Sequence, residues 1–126
     1  MVSDFEAVFG ELKVLFERHT IGYQITTDTP GKYYVAISTS TSPKPIWFGG
    51  VEINRNYVSF HLMPVYCCPD LMTSCSDELR ARMQGKACFN FKTVNQSLFS
   101  ELEGLLIRGK DRFEKIDFSK LRQAKK

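Results

Sequence analysis

The sequence lacks any apolar run that approaches the roughly 18 residues of a membrane-spanning helix. Its first residues, MVSDFEAVF, place acids where a secretory signal peptide needs a basic segment. Both absences argue against membrane insertion and against export. We therefore expect a cytoplasmic protein without a membrane partner, whose cysteines are reduced thiols.

The four cysteines lack the spacing of a structural zinc site. Such sites favour Cys-x-x-Cys pairs, because a tight turn points both sulfurs at one ion. Here Cys67, Cys68, Cys75 and Cys88 are separated by 1, 7 and 13 positions, so no metal site is predicted. Thiol chemistry at Cys67 or Cys68 would need a nearby base and a lowered pKa. The alternative is that these side chains are small buried apolar groups.

The short motifs of common enzyme classes are also missing. We find no Gly-x-Ser-x-Gly, Ser-x-x-Lys or dinucleotide-binding glycine pattern, and no dense pair of carboxylates. Gly85-Lys86 lacks the preceding glycines of a P-loop and leads into a strand pattern instead of a helix. The sequence therefore predicts no catalytic residue and no cofactor, and it favours a non-enzymatic role.

Strong basic charge is absent from most of the chain. The net charge is +3, but eight Lys and Arg residues against three acids fall within 108–126, which leaves 1–107 close to neutral. A nucleic-acid partner would have to bind this basic end, where a solvated terminus is the simpler interpretation. No nucleic-acid partner is predicted.

Apolar residues recur at helical spacing near both ends of the chain. The first stripe, which follows a capping-box pattern at Ser3, comprises Phe5, Val8, Phe9, Leu12, Leu15 and Phe16. The second comprises Leu98, Phe99, Leu102, Leu105 and Leu106, with Thr93 or Asn95 as its cap and Gly109 as its expected stop. Each stripe predicts an amphipathic helix with one buried side.

Between these helices the period is two, which is typical of strands. The predicted strands are 23–27, 33–39, 46–53, 57–63 and 87–92. Turns are expected at 28–31 and at 54–56, where asparagine tolerates the left-handed conformation, and a loop at 41–45. Gly49-Gly50 predicts a bulge or a close backbone approach. Strands joined by short turns pair antiparallel.

The connector between the last two predicted strands begins with a loop that contains two prolines. Pro64 is expected to end the preceding strand. Pro69 restricts the residue before it, which favours an extended Cys67-Cys68 pair.

A short helix is predicted in the second half of this connector. Ser76 is its expected N-cap, with acids following in the first turn. Leu79 and Met83 would share its buried side, and Gly85 would follow its C-terminal end.

These elements predict an α+β fold: an antiparallel sheet of about five strands with the N- and C-terminal helices packed on one face. Residues 1–118 are expected to form a single domain, and 119–126 a basic C-terminal tail. The other face of such a sheet is left to solvent or to a partner.

That open face is our candidate ligand or partner surface. Alternation places Tyr57 and His61 on the opposite side of their strand from its apolar residues, and Asn90 and Lys92 on the polar side of the last strand. Cys67 and Cys68 on the adjoining loop complete the candidate set. An ordinary solvated sheet face is the alternative.

The segments WFGGVEINRNYVSFHLMPVY, LRARMQGKACFNFK and LFSELEGLLIRG resemble the YdhG-like domain family of unknown function, over about residues 45–115. The resemblance implies a small α+β domain with helices packed on a sheet, and it brings no established catalytic residues. Some relatives are described as frataxin-like iron chaperones, which bind iron through acidic surfaces. This chain departs from that pattern, because it is mildly basic and its first helix has no run of carboxylates.

Three functional hypotheses follow. The leading one is a non-enzymatic module that binds a small ligand or a protein through the open sheet face and the loop over 64–76. The second is iron binding and delivery, and the third is thiol-dependent activity at Cys67 or Cys68. The sequence also leaves open a homodimer formed through the uncovered face.

Overall fold

The protein is seen in a computed structural model that describes residues 4–39 and 41–118. Its helices are α1 (Asp4–His19), α2 (Met63–Cys67), α3 (Asp77–Arg80) and α4 (Gln96–Glu114), with a 3-10 helix over Pro69–Ser74. Its strands are β1 (Gln24–Thr29), β2 (Lys32–Thr39), β3 (Ser42–Ile53), β4 (Val58–Leu62), β5 (Met83–Gln84) and β6 (Cys88–Phe91). No helix in these ranges is both long and apolar enough to cross a bilayer.

The six strands form one antiparallel sheet in the order β1-β2-β3-β4-β6-β5. This arrangement confirms the predicted α+β class. The strand beyond the expected five is β5, whose two residues pair with β6 at the edge of the sheet. Because β4 pairs directly with β6, the two strands of the candidate surface are neighbours.

The core lies between one face of the sheet and the two long helices. Phe16 of α1 packs on Phe60 of β4 with ring centroids 5.0 Å apart, and Phe99 of α4 meets Phe91 of β6 at 5.1 Å. The predicted alternation in β4 is confirmed, since Val58, Phe60 and Leu62 are fully buried. Burial of such side chains contributes roughly 1.5–3 kcal/mol each, which makes this layer the main source of stability.

The glycine pair in β3 produces both predicted features. Val35 pairs with Gly49 but Ala36 pairs with Trp47, so Phe48 is an extra residue and forms a bulge. A Cβ at Gly49 would lie 2.4 Å from the carbonyl oxygen of His61. The backbones of β3 and β4 can therefore approach here only because that side chain is missing.

The predicted loop at 41–45 is wrong, since β3 already begins at Ser42, which pairs with Thr39. Pairing of β3 with β4 starts only at Gly49, so the first half of β3 has no strand on that side. A proline is tolerated at such an edge because no ladder hydrogen bond there needs its missing N–H. Pro43 and Pro45 therefore lie inside a strand.

The turn between β3 and β4 forms at the predicted place but not by the predicted conformation. Asn54 N–H donates to the carbonyl of Tyr57 at 2.8 Å and closes a four-residue connection. In the described ranges only glycines have a positive φ, so neither Asn54 nor Asn56 is left-handed. Four residues span the gap without that conformation, which two-residue hairpin loops require.

The expected extended conformation of Cys67-Cys68 is wrong for Cys67. Residues Met63–Cys67 form helix α2, with Pro64 in its first turn, where the missing N–H needs no partner. Cys68 alone leaves the helix, with φ −132° and ψ 75°, before Pro69 begins the 3-10 helix. The restriction imposed by Pro69 thus acts on the single residue that precedes it.

The short helix begins as predicted and ends earlier. Ser76 caps α3, its Oγ accepting from Leu79 N–H at 3.1 Å, but the helix stops at Arg80. Met83 and Gln84 instead form β5, so Met83 does not share a helical face with Leu79. Gly85, with φ +77°, lies in the turn between β5 and β6, where a left-handed residue is needed.

Asn95, one of the two residues predicted to cap α4, is its N-cap, and its Oδ1 accepts from Leu98 N–H at 3.0 Å.

The predicted stop at Gly109 is wrong. A Cβ at this position would lie 2.9 Å from the Cβ of Pro64, so the glycine serves a close packing contact inside the helix. One further turn follows because it buries Phe113 against Phe48, at 5.4 Å between ring centroids.

The predicted capping residue Ser3 and the predicted basic tail at 119–126 lie outside the described residues.

Candidate functional site

The sheet face opposite the helices carries two rows of side chains that cross the strands in register. Pairing aligns Tyr34, Gly50, His61 and Cys88 in the first row, from β2 to β6. The second row aligns Glu52, Ser59 and Asn90 from β3 to β6. Alternation along each strand places all of these side chains on the side away from the helices.

An aromatic cluster covers the first row. The Tyr34 ring lies 5.9 Å from the Trp47 ring and 6.4 Å from the His61 ring, and Trp47 lies 5.7 Å from His61. Gly50 makes this possible, because a Cβ there would lie 2.3 Å from Cδ1 of Tyr34. The missing side chain thus leaves room for the three rings to meet above the sheet.

Hydrogen bonds connect the second row into one chain. Asn54 Nδ2 donates to Ser59 Oγ at 2.8 Å, and Ser59 Oγ donates to Asn90 Oδ1 at 2.8 Å. Asn90 Nδ2 then donates to Gln84 Oε1 at 2.6 Å. Because Ser59 is buried and both its hydrogen-bonding roles are used, the orientation of the Asn90 amide is fixed.

His61 and Cys88 form the contact with the clearest chemistry, with Nδ1 of the ring 2.8 Å from Sγ. Burial lowers the pKa of His61, an effect larger than the opposing charge of Glu52, and burial raises the pKa of Cys88. Both shifts favour the uncharged forms. The pair is therefore a neutral hydrogen bond rather than a thiolate beside an imidazolium.

Tyr34 and Glu52 join the two rows. The Tyr34 hydroxyl donates to Oε1 of Glu52. Burial, followed by this hydrogen bond, raises the pKa of Tyr34 well above its ordinary value, so the phenol keeps its proton. The carboxylate of Glu52 is therefore the charge that faces the two rows.

Two adjoining cavities lie beside these rows, the first on the open face and the second between the ends of β4 and β6 and the start of α4. The first, of about 290 Å³, is lined by Glu52, Asn54, Tyr57, Ser59, His61, Gln84, Cys88 and Asn90. The second, of about 180 Å³, is lined by Tyr57, Arg82, Asn90, Phe91, Lys92, Thr93, Asn95 and Leu98. Tyr57 and Asn90 line both cavities and form the wall between them.

The structure brings four of the six sequence-predicted site residues together on this surface. Tyr57, His61 and Asn90 line the first cavity, while Lys92 lines the second beside Tyr57 and Asn90. Cys67 and Cys68 do not belong to it. They lie at the end of α2, where Cys67 is half-buried and Cys68 is buried beside the Arg112 guanidinium.

The histidines of the chain make hydrogen bonds with residues other than Cys67 and Cys68. The chain contains two histidines. His61 contacts Cys88, and Nε2 of His19 lies 2.7 Å from a carboxylate oxygen of Glu103.

Sequence reasoning did not identify Tyr34, Trp47, Glu52 and Gln84 as contributors to this surface. Alternation in β2 already set Tyr34 apart from the apolar residues, which was an available signal. Trp47 gave no such signal, because the bulge at Phe48 interrupts the period of two in β3.

A third concavity, an apolar groove of about 530 Å³, lies at the sheet edge away from these rows. It is lined by Val65, Tyr66, Pro69, Met72, Met83, Gly85 and Lys86. The Lys86 ammonium lies 5.8 Å from the centroid of the Tyr66 ring at its rim. This groove contains part of the loop over 64–76 that the sequence singled out, and it is separate from His61 and Asn90.

Over 4–39 and 41–118, no group of three or more His, Cys, Asp or Glu side chains is arranged to hold a metal ion. Comparison of the chain with protein-family models, with curated proteins and with solved structures gave no match. The resemblance to the YdhG-like family therefore stays a prediction, and the functional argument depends on the geometry of the surface.

Proposed function

We propose that this protein is a non-enzymatic binding module that holds a small, uncharged, polar ligand in the first cavity of the open sheet face. The observation that carries the proposal is the fixed hydrogen-bond chain through Ser59 and Asn90, which lies beside the aromatic cluster of Tyr34, Trp47 and His61. Such a site combines aromatic surface with a few oriented polar groups, as small-molecule sites do.

The lining of the cavity supports an uncharged, polar ligand, because its charged side chain, the Glu52 carboxylate, already accepts a hydrogen bond from the Tyr34 hydroxyl. The amides of Asn54, Gln84 and Asn90 supply donors and acceptors, and the hydrogen bonds that connect them through Ser59 orient them before a ligand arrives. Orientation in advance lowers the entropy that binding costs. The volume of about 290 Å³ lies at the small end of the range for ligand sites, so it suits a single-ring compound.

The protonation states argue against a nucleophilic enzyme at the same place. A catalytic cysteine needs a thiolate, and enzymes obtain it by lowering the thiol pKa. Burial here raises the pKa of Cys88 and lowers that of His61, which opposes transfer of the proton from sulfur to nitrogen. The pair is suited to hydrogen bonding with a ligand and not to attack on it.

The remaining sequence hypotheses stay proposals of lower rank. Iron delivery has no group of donors in the described residues to build on. A cytoplasmic location is supported by the four free thiols, which are typical of reducing compartments. A homodimer through the open face competes with ligand binding, and light scattering at two protein concentrations distinguishes a dimer from a monomer.

A screen of small neutral ring compounds tests the proposal. Uracil, nicotinamide and pyrazole are titrated against the protein while the emission of Trp47, the single tryptophan, is followed. The rings of Trp47 and His61 lie 5.7 Å apart, so a ligand that contacts the His61 ring should change the Trp47 emission in a saturable way. We expect at least one of these compounds to bind.

Variants identify the place of binding. We expect His61→Ala and Asn90→Ala to weaken the bound compound by roughly tenfold, because each removes a hydrogen-bonding partner from the site. Ser38→Ala, at the far end of β2, is the matched control and should bind as the wild type does. Absence of saturable binding by all three compounds, or equal affinity in all variants, would contradict the proposal.

A further inference from the structure

The structure assigns a second binding site to the cavity of about 180 Å³: we infer that it binds a phosphate group, either as free phosphate or as part of a phosphorylated small molecule. The site adjoins the one described above but is carried by different residues, chiefly Arg82 and Lys92. It therefore stands or falls independently of the proposed function.

The charge of the cavity is the first argument. Arg82 and Lys92 both line it, and no Asp or Glu does. Among the described residues neither cation forms an ion pair, whereas Arg80, close to Arg82 in the chain, is paired with Asp77 at 2.8 Å. Two cations at the rim of one concave site, without a carboxylate to neutralise them, create a local positive potential that favours an anion.

The second argument is the supply of further donors. Tyr57 and Thr93, whose side chains carry hydroxyl groups, are in the same lining, which includes Leu98 in the first turn of α4. That turn contains no acidic residue, so the positive end of a 19-residue helix is not neutralised by its own side chains. The helix end adds to the field of the two cations and is not needed to define the site.

The floor and the size of the cavity give the third argument. Phe91 and Leu98 are both buried and form an apolar floor, where charge-assisted hydrogen bonds are less weakened by water. A volume of about 180 Å³ accommodates a tetrahedral oxyanion with part of its hydration or its ester group.

The number of donor groups favours phosphate over carboxylate. A carboxylate presents two acceptor oxygens in one plane, which a single arginine can satisfy. Here an arginine, a lysine and two residues with hydroxyl groups line one cavity, so an anion with oxygens in several directions can use more of their donors. Acetate is therefore the comparison anion in the test.

The experiment follows backbone amide shifts of the ¹⁵N-labelled full chain at constant pH. Inorganic phosphate, ribose 5-phosphate and acetate are titrated separately, each against sodium chloride of equal ionic strength. We expect saturable shifts at Lys92 and Thr93 with phosphate or with ribose 5-phosphate, and whichever binds more tightly identifies the source of the group. Acetate should bind at least several-fold more weakly.

Two variants make the assignment specific. Arg82→Gln and Lys92→Gln should each weaken phosphate binding by roughly tenfold, and Lys44→Gln, an exposed lysine on β3, should leave it unchanged. Melting temperatures show whether each variant is folded. If one of the two variants does not fold, the other alone tests the inference. Any of three results would overturn the inference. Phosphate shifts could rise linearly and be reproduced by sodium chloride, acetate could bind as tightly as phosphate, or Lys44→Gln could weaken phosphate binding as much as the other two variants do.

Discussion

The imidazole of His61 and the thiol of Cys88 are hydrogen-bonded across β4 and β6, with Nδ1 2.8 Å from Sγ. Burial moves the two pKa values apart, downward for the base and upward for the acid. The open face therefore presents an uncharged pair at neutral pH. This relationship accounts for two properties that can be measured without knowing a ligand.

The first property is a loss of stability in mild acid. Because the folded-state pKa of His61 is below its unfolded value of about 6.5, the unfolded chain binds the extra proton first. The contribution of His61 to the free energy of unfolding should fall as the pH decreases from 6.5 to the folded-state pKa, and that contribution should change no further below this value. Urea denaturation at about pH 7.5 and about pH 5.5 measures it.

A control variant isolates the contribution of His61 in that experiment. Tyr34, Glu52 and Cys88 face the ring, and His61→Gln keeps them while removing the titrating group. The variant should lose less stability between the two pH values than the wild type does, because every other titrating group is the same in both proteins. An equal loss in both proteins would mean that the His61 pKa is not lowered.

The second property is a slow reaction of Cys88 with alkylating agents. The thiolate is the reactive form, and burial raises the pKa of this thiol, so little thiolate is present at neutral pH. Iodoacetamide labelling followed by peptide mass spectrometry should show Cys88 reacting more slowly than free cysteine. Faster labelling of Cys88, lost in His61→Ala, would instead reveal an activated thiol and support an enzyme.

Packing of α4 on α2 leads to a prediction about stability. Gly109→Ala places a Cβ 2.9 Å from that of Pro64, and overpacking of this kind costs about 1–3 kcal/mol. Gly10→Ala in the exposed part of α1 meets nothing within 4 Å and should gain up to about 1 kcal/mol. Urea denaturation of both variants measures the difference. A stabilised Gly109→Ala would show that α4 does not lie against Pro64.

The predicted parts of the fold are those that a short stretch of sequence determines. Val58, Phe60 and Leu62 alternate because one side of β4 faces the helices, and Asn95 and Ser76 cap helices through contacts three residues away. Each of these features depends on neighbours along the chain, so its pattern is visible in the sequence.

The missed parts depend on contacts between distant segments. In the sequence Gly109 resembles a helix stop, and only the fold shows that Pro64 packs against it. Pro43 likewise resembles a loop residue, and only the fold shows that the first half of β3 has no partner strand on the β4 side. The side-chain network has the same origin, since Ser59 and Asn90 are 31 positions apart. Only the sheet register brings such residues together, and the bulge at Phe48 hides part of that register.

The most direct test of the central claim is a map of amide shifts when a neutral ring compound from the screen is added to the ¹⁵N-labelled protein. We predict that the largest shifts fall on both strands that carry the cavity, at 59–61 and 88–90, and that His61→Ala raises the concentration of compound needed to produce them by roughly tenfold. Shifts confined to the apolar groove around Tyr66 and Met83, or spread evenly over the chain, would contradict a binding site on the open face.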